Sequence, residues 1–173
     1  MLVLGDLMRQ TADLFEPMVR KNMKLRVAIH PDTLRVSGDF TQLEQVVLNL
    51  LINARDALAE TPEGRLTFRV EPAAEHTPGW DASRGKAEDF AAIRVKDNGP
   101  GIPDEIREKI FEPFFTTKER RGTGMGLAMA YGCVANHNGW IHVECPAGKG
   151  TEFVVFLPLA GTPAAKRDDE ESE

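Results

Sequence analysis

The sequence predicts a single α/β domain. Its 173 residues, 42% of them hydrophobic and 28% charged, have the size and composition of one globular unit with one hydrophobic core. Along the chain, segments whose apolar residues recur at helical spacing are interspersed with segments that alternate apolar and polar residues, as strands do. Helices packed against a sheet follow from these two observations.

The predicted elements begin with a helix and a strand. Apolar residues recur at roughly helical spacing across residues 5–21, and the segment KLRVAIH, Lys24–His30, alternates as a strand with one buried face. Four more strands are predicted in RLTFRVE, FAAIRVKD, WIHVEC and TEFVVFLP, which are residues 65–71, 90–97, 140–145 and 151–158. A helix is predicted over residues 125–138, after a glycine-rich stretch.

A second helix is predicted before the strand at residues 65–71. Asp39 and Thr41 precede its periodic run, and Glu44 stands three residues after Thr41, the spacing of a capping box. Thr61 and the proline and glycine that follow it are helix breakers, so the helix should end near Ala59.

Two polar segments lie outside these elements. Residues 72–89 are long for a hairpin connection and are predicted to be a surface insertion anchored by Trp80, with a family-variable loop favoured over a binding loop. Residues 161–173 end in DDEESE and are predicted to be a disordered acidic tail or linker. The folded domain is therefore expected to span residues 1–160.

Charge and cysteine content exclude several classes of function. A net charge of -6 argues against a broad surface for a nucleic acid polymer or an anionic membrane, so any basic site must be local. Cys133 and Cys145 show neither CxxC spacing nor a nearby histidine ligand pattern, which favours reduced thiols in the cytoplasm over disulfides or zinc. No apolar run long enough to span a membrane occurs, although the parent protein could be membrane-anchored elsewhere.

The stretch VLNLLINARDAL places short polar side chains on a helix that is otherwise apolar. At 100° per residue, one stripe beside the apolar face holds Gln42, Gln45, Asn49, Asn53 and Asp56. An amide carbonyl is a hard oxygen ligand suited to Mg²⁺, which completes its octahedron with water and phosphate oxygens. The alternative is that both amides cap backbone groups or each other across a helix interface.

A second motif, KDNGPGIPDEI, follows a predicted strand. As a turn it needs no function, since glycine supplies positive φ and proline fixes φ negative. As a binding element, Asp97 at the strand end could accept a hydrogen bond from an exocyclic amine, while Gly99 and Gly101 let a flat ring approach the backbone. Both interpretations stay open on this motif alone.

A third motif, KERRGTGMGLAMA, leads directly into the predicted helix at residues 125–138. Gly122, Gly124 and Gly126 would let backbone N–H groups turn toward an anion at the positive end of that helix. Lys118 and two arginines concentrate cationic charge on the same loop. A flexible hinge is the alternative, and the spacing matches neither a Walker loop nor a GxGxxG dinucleotide loop.

Taken together, these motifs resemble those of a known family. NLLINARDA, DNGPGIP, FEPFF, GTGMGL and GKGT occur in the order and approximate spacing of the asparagine box, first glycine box, phenylalanine box, second glycine box and third glycine motif of the histidine kinase catalytic and ATP-binding domain. That domain belongs to a superfamily shared with type II topoisomerases, mismatch-repair proteins and certain chaperones. The segment FFTTK and the short interval before GTGMGL look most like the nitrogen-regulator sensor and hybrid-kinase branch.

The resemblance implies an α/β two-layer sandwich in which a mixed, mostly antiparallel sheet of about five strands is backed by three helices, with ATP under a mobile lid. It implies that Asn53 is the principal Mg²⁺ ligand, that Asp97 binds the adenine amine, and that Lys118 reaches the phosphates as a second catalytic residue. The implied ATP-binding set is Asn49, Asn53, Asp56, Asp97, Gly99, Gly101, Ile102, Phe111, Lys118, Gly122, Thr123, Gly124, Met125, Gly126, Leu127 and Thr151. Packing of the lid is favoured for Phe111, Phe114 and Phe115, and a supporting turn for Gly148 and Gly150.

Residue 49 distinguishes the branches of that superfamily. Hydrolytic members carry a glutamate one helical turn before the metal asparagine, where this chain has Asn49. Glu44 lies on the opposite side of the helix and cannot replace it. Phosphoryl transfer depends mainly on alignment and charge neutralisation, and a neutral imidazole needs no base to remove a proton, so transfer to histidine fits this pocket.

The implied partners are the dimerisation and histidine-phosphotransfer hairpin of the same kinase and a response-regulator receiver domain. None of His30, His76, His137 and His142 has the flanking residues of a phosphoacceptor, so the acceptor is expected on a separate domain. Two alternatives remain: a regulatory module that senses a nucleotide or second messenger without transfer, and a serine kinase of the same superfamily. For the first, Tyr131 and Trp140 could form an aromatic shelf for a cyclic dinucleotide, although packing of both rings is favoured.

Overall fold

A computed structural model describes residues 1–31, 33–115, 125–146 and 148–162 of the chain. Within these residues the helices are α1 (Leu4–Phe15), α2 (Phe40–Ala57) and α3 (Gly126–Asn136). The strands are β1 (Leu2–Val3), β2 (Met23–Ile29), β3 (Arg35–Val36), β4 (Gly64–Pro72), β5 (Phe90–Asp97), β6 (Trp140–Glu144) and β7 (Thr151–Pro158).

Five of the strands form one mixed sheet in the order β2-β4-β5-β7-β6. The pair β2 and β4 is parallel, and the other three pairs are antiparallel. The three helices pack on one face of this sheet, because their apolar stripes and the inward residues of the strands bury each other from water. The predicted two-layer α/β sandwich is therefore confirmed.

The main core lies between α2 and the middle strands. Leu50 and Leu51 of α2 are fully buried, as are Leu66 and Phe68 of β4 on the facing side of the sheet. Alternation along β4 turns Arg65 and Arg69 to the opposite face. One sheet face thus supports the helices, and the other is free to carry different chemistry.

A second, smaller core covers part of that opposite face. The insertion between β4 and β5 lays Trp80 against Phe90, Trp140 and Phe156, with ring centroids 5.4, 5.6 and 5.8 Å away. Trp140 stacks on Phe156 at 4.6 Å and donates its indole N–H to the backbone oxygen of Gly79. The structure therefore confirms Trp80 as the anchor of the insertion.

Loss of this anchor should destabilise the domain. Trp80 is half-buried, so Trp80→Ala should lower the free energy of unfolding by about 2 kcal/mol, less than truncation of a fully buried tryptophan. Urea unfolding measures the change, and limited proteolysis should cut residues 73–89 faster. Tyr131→Ala is the matched control, since Tyr131 is 52% exposed. Equal unfolding midpoints for the two variants would contradict the assigned anchor.

Helix boundaries differ in detail from the prediction. The N-cap of α2 is Asp39, whose carboxylate accepts the N–H of Gln42 at 2.9 Å. The predicted capping box of Thr41 and Glu44 is wrong, because Thr41 already lies inside the helix and one Glu44 carboxylate oxygen is buried without a hydrogen-bond partner in the described part of the chain. Helix α1 ends at Phe15, before a short 3-10 turn that contains Pro17.

The antiparallel pair of β1 and β3 was not predicted from the sequence. Leu2 lies opposite Val36, and Val3 lies opposite Arg35. Val36 also bridges to Leu159 beyond the end of β7, so this pair fastens the start of α1 to the last strand of the sheet. Strands of two residues are too short to show an alternating pattern.

Candidate functional site

The helix α2 is the frame of the candidate site. Asn49, Asn53 and Ala57 are spaced four residues apart and therefore lie on one stripe, about 6 Å from one to the next. The side-chain amide of Asn49 donates to the backbone oxygen of Gly126, at the start of α3, at 3.2 Å. At the other end of the stripe, the carbonyl of Ala57 faces Gly99, in the turn after β5. Asn53 lies midway between these two contacts.

The two asparagines have different surroundings. Asn49 is held by Gly126 and also by Gln45, whose side-chain amide donates to its oxygen at 2.9 Å. Asn53 is half-buried, and its amide makes no hydrogen bond with the rest of the described chain. Of the two interpretations of these amides, capping of a backbone group across a helix interface therefore applies to Asn49. The oxygen of Asn53 remains available to a ligand.

Gln45 belongs to the site although it was not among the predicted site residues. It fixes the rotamer of Asn49 and so leaves the amide of Asn49 directed at the first turn of α3. The i, i+4 spacing of Gln45 and Asn49 is a signal that the sequence contains, since residues so spaced face each other on a helix.

Asp97 lies at the end of β5 beneath the turn of the first glycine motif. Its side chain is 3% exposed, and one carboxylate oxygen accepts the backbone N–H of Gly99 at 2.9 Å. Burial raises the pKa of this carboxyl above its ordinary value of 3.8, and hydrogen bonds from the backbone of Gly99 and Thr151 offset part of that rise. A buried acid with unused acceptor capacity at a strand end is a candidate binding group.

Glycines are required around Asp97 because other segments approach its turn closely. A Cβ on Gly99 would lie 2.9 Å from the Asp97 carboxylate and 3.0 Å from the carbonyl of Ala57. Gly150, before β7, has a φ of 82°, and a Cβ there would lie 2.0 Å from the backbone oxygen of Asp97. Gly101 lies against Gly150 in turn. The third glycine motif is therefore a support for the Asp97 turn.

This close approach predicts a large difference between two neighbouring glycines. Gly150→Ala places a methyl group where it overlaps the backbone of Asp97, on a residue whose own φ is positive. This change should lower the free energy of unfolding by about 3 kcal/mol or more. Gly148→Ala meets nothing within 4 Å, so only its φ of 70° opposes it, at about 1 kcal/mol. Chemical denaturation of both variants measures the difference. Similar losses in the two would contradict the assigned role of Gly150.

The N-terminus of α3 faces the stripe on α2. The helix begins at Gly126, and its N-cap, Met125, provides no side-chain hydrogen bond to the first turn. The N–H groups in the first turn of an 11-residue helix have no partner within the helix, carry partial positive charge and suit an anion. Leu127 packs against the core and fixes this end. Lys118, Gly122, Thr123 and Gly124 lie outside the described residues.

The remaining predicted site residues surround this frame. Ile102 packs against the main core, and Thr151 lies opposite Asp97 in the pairing of β5 with β7. Phe111 contacts Tyr131 and Phe153, with ring centroids 5.4 and 6.3 Å apart, which agrees with a packing role.

One acidic residue, Asp56, and one aromatic residue, Phe114, differ from the other predicted site residues in their contacts and exposure. Asp56 accepts hydrogen bonds from Arg55 at 2.9 and 3.1 Å and lies 3.8 Å from Arg20, so it is tied to cations at the edge of the stripe. Phe115 packs against the core, but Phe114 is 76% exposed at a φ of 65°. The packing prediction is therefore wrong for Phe114.

The proposed aromatic shelf does not form. Tyr131 projects from α3 on the helical face of the sheet, where it contacts Phe111. Trp140 lies on the opposite face, within the second core. A sheet separates the two rings, so the prediction of a cyclic dinucleotide site between them is wrong.

The described residues show neither a cluster of metal-binding side chains nor a membrane-spanning helix. In residues 1–31, 33–115, 125–146 and 148–162, no group of three or more His, Cys, Asp or Glu side chains is arranged to hold a metal ion. None of the described helices is long and apolar enough to cross a membrane.

Comparisons with known proteins agree with this geometry. Residues 38–161 match the family described as histidine kinase-, DNA gyrase B- and HSP90-like ATPase. The sensor kinase CckA of Brucella abortus is 41% identical over 158 residues, 91% of this chain and 17% of that protein. The sensory histidine kinase/phosphatase NtrB of Rhodobacter capsulatus is 40% identical over 131 residues, 75% of this chain and 34% of that protein.

Solved structures give the same result. The nucleotide-free catalytic domain of the histidine kinase ThkA superposes with a TM-score of 0.74 at 31% identity, over 91% of this chain and 93% of that domain. The chain spans only 17% and 13% of the lengths of the sensor proteins CckA and PprA, and so corresponds to one part of such proteins. The chain belongs to the histidine kinase-, DNA gyrase B- and HSP90-like ATPase family and has the fold of a histidine kinase catalytic domain.

Proposed function

We propose that this chain binds Mg-ATP and transfers the γ-phosphoryl group to a histidine on a separate dimerisation hairpin of a two-component kinase. One observation carries the proposal: the amide of Asn53, which makes no hydrogen bond with the described residues, lies midway along α2 between the buried carboxylate of Asp97 and the N-terminus of α3. These three features provide, in order, groups suited to a metal, a base and a phosphate chain.

The Asp97 turn suits the adenine. Its buried carboxylate has acceptor capacity beyond the hydrogen bonds from Gly99 and Thr151, and an exocyclic amine is the donor that this capacity fits. Gly99 and Gly101 leave no side chain above the turn, so a flat ring can approach the backbone. Ile102 lies beside the turn and offers an apolar contact to such a ring.

The opposite end of the stripe suits the phosphates. The first turn of α3 lies two helical turns of α2 from Ala57, a separation of about 12 Å, on the scale of an extended nucleotide. Asn53 would hold Mg²⁺, which neutralises phosphate charge when bound. Lys118, Gly122, Thr123 and Gly124 are proposed from the sequence to complete the phosphate contacts.

Transfer to an imidazole fits the groups at this end better than hydrolysis. Asn49 occupies the position from which a glutamate would activate water, and its amide is committed to Gly126 and Gln45. An amide cannot accept a proton at neutral pH, so water attack has no base here. A neutral imidazole attacks through its unprotonated nitrogen and needs only alignment.

The proposed acceptor hairpin has a surface to bind. Met129 and Tyr131 on α3 are 57% and 52% exposed, and Phe114, which precedes α3 in the chain, is 76% exposed. Large exposed apolar side chains favour a protein partner. Among the chain's own histidines, His137 is committed to the N–H of Asp39 and the carbonyl of Cys133, which agrees with an acceptor on another domain.

A response-regulator receiver domain is proposed as the second partner. The histidine kinase ThkA, whose structure in complex with the response regulator TrrA is known, is 30% identical to this chain, superposes with a TM-score of 0.68, and is covered over 40% of its length. The observation is of ThkA, and its extension to this chain is part of the proposal.

The direct test mixes the chain with a purified dimerisation hairpin and γ-labelled ATP. We expect label on the hairpin histidine, dependent on Mg²⁺, and loss of the label in acid because phosphohistidine is acid-labile. Acid-stable label would instead identify the serine kinase of the same superfamily. Tight ATP binding without label on any hairpin would identify the sensing module and overturn transfer.

A further inference from the structure

The outer face of the sheet carries a concentration of positive charge. Alternation along β2, β4 and β5 directs one set of residues away from the helices. The cationic members of this set are Lys24, Arg26, Arg65, Arg69, Arg94 and Lys96. The whole chain has a net charge of -6, so such a concentration is unexpected.

Only one of these cations is neutralised within the face. Arg94 binds Glu71 at 2.8 Å and Glu152 at 2.7 Å, and these hydrogen bonds raise the pKa of its guanidinium despite burial. The other five form no ion pair with any described residue. We call these five residues, Lys24, Arg26, Arg65, Arg69 and Lys96, the basic sheet face.

The strand register brings these charges together. Lys24 lies beside Arg65, and Arg69 lies opposite Arg94. Thr67 separates Arg26 on one side from Lys96 on the other. Like charges at directly opposite positions destabilise a sheet.

Protection of a sheet edge explains only part of this arrangement. Lysine and arginine on an edge strand prevent unwanted pairing with other chains, which accounts for the two cations on β2. Arg65, Arg69 and Lys96 lie on the interior strands β4 and β5, where no edge needs protection. These residues point to an anionic occupant.

We propose that the basic sheet face binds the acidic segment Asp168–Glu173 of this same chain. That segment holds five carboxylates in six residues, DDEESE, and is the densest anionic stretch of the sequence. Five cations on the face match five carboxylates in charge. Their interaction relieves the repulsion between neighbouring cations of the face.

The chain is long enough for this contact. The described residues end at Thr162, whose hydroxyl donates to the backbone oxygen of Asp89 at 3.3 Å, just before β5. Lys96 lies seven residues along that strand, a distance of about 23 Å. Asp168 is six positions after Thr162 and Glu173 is eleven positions after it, so in an extended chain they lie at most about 20 and 36 Å from Thr162. The carboxylates toward the end of the acidic segment can therefore reach Lys96.

Zero-length crosslinking of the full chain tests the contact. A carbodiimide joins a lysine amine to a carboxylate in direct contact, and mass spectrometry locates the bond. We expect crosslinks from Lys24 and Lys96 to Asp168–Glu173 at low salt, and at least fivefold fewer near 1 M salt, where screening acts over about 3 Å. Lys109 and Lys149 are exposed lysines elsewhere and should crosslink rarely.

A second variant preserves the reacting lysines while removing the attraction. The triple change Arg26→Gln, Arg65→Gln and Arg69→Gln should reduce the crosslinks at Lys24 and Lys96 at least fivefold, whereas Arg9→Gln on α1 should not. Crosslinks spread evenly over all exposed lysines, or unaffected by the triple change, would overturn the proposal.

Mixing isotopically light and heavy chains separates the remaining outcomes. Crosslinks within one isotope support the intramolecular contact, and mixed pairs would assign the face to a second copy and overturn it. If the segment does not crosslink but anionic vesicles or DNA bind the wild type and not the triple variant, a membrane or nucleic acid is the occupant instead.

Discussion

Asn53→Ala should reduce phosphoryl transfer to a hairpin histidine by about 100- to 1,000-fold while leaving the fold intact. The lost amide oxygen is the group that would hold Mg²⁺ against the phosphates, and removal of one preorganised charge-stabilising group costs a reaction about that factor. The amide makes no hydrogen bond in the described structure, so its removal should change the free energy of unfolding by less than about 0.5 kcal/mol.

Asn22→Ala is the matched control, because it also replaces an asparagine by alanine. The Asn22 amide donates to the backbone oxygens of Leu58 and Thr61, just after the end of α2. Its loss should lower the free energy of unfolding by about 1 to 2 kcal/mol and leave transfer near the wild-type rate. Transfer is followed with γ-labelled ATP, and stability by urea unfolding.

The opposite pattern would overturn the assignment of Asn53. If Asn53→Ala transfers phosphate at the wild-type rate, the metal is held by another group. If Asn53→Ala instead unfolds at a clearly lower urea concentration than the wild type, Asn53 is a structural residue and the loss of transfer reflects loss of the fold.

The sequence predicted those elements whose signals are local. The bounds of β5 and β7 agree with the predicted strands at residues 90–97 and 151–158, because both are continuous strand patterns ended by turn residues. The periodic run of α2 likewise identified the stripe with Asn49 and Asn53. Family motifs then supplied the two-layer arrangement of helices and sheet, which periodicity alone leaves open.

Tertiary contacts account for what the sequence could not predict. Asn49 and Asn53 are the same residue type on the same stripe, and only the position of Gly126 distinguishes the held amide from the free one. Tyr131 and Trp140 are near in sequence, but the sheet separates them, which depends on the order of its strands. The basic sheet face likewise emerges only when β2, β4 and β5 are placed side by side.

Asp97→Asn should weaken ATP binding by about 10- to 100-fold and, in the same variant, stabilise the nucleotide-free domain. A hydrogen bond from the adenine amine to a carboxylate contributes about 1.5 to 3 kcal/mol, part of which a neutral amide oxygen retains. Burial raises the pKa of Asp97, so its ionised form is disfavoured in the folded state. Replacement by a neutral group removes that cost.

The sign of the pH dependence follows from the raised pKa. Between the ordinary aspartate value of 3.8 and the higher pKa of folded Asp97, the folded protein keeps a proton that the unfolded chain has lost. The contribution of this group to the free energy of unfolding therefore falls as the pH rises through that window. Asp97→Asn should gain stability over the wild type across the same window and keep the gain at neutral pH.

Calorimetric titration with ATP and urea unfolding at acidic and neutral pH measure the two effects. Asp6→Asn is the control, because Asp6 is an exposed aspartate on α1, paired with Arg9 and remote from the site. Its replacement should leave the ATP affinity and the free energy of unfolding near the wild-type values, since an exposed ion pair contributes little. If Asp97→Asn loses stability at neutral pH, the carboxylate supports the fold and the assignment is wrong. Weaker ATP binding together with a gain in stability would show that the carboxylate serves the nucleotide at a cost to the stability of the fold.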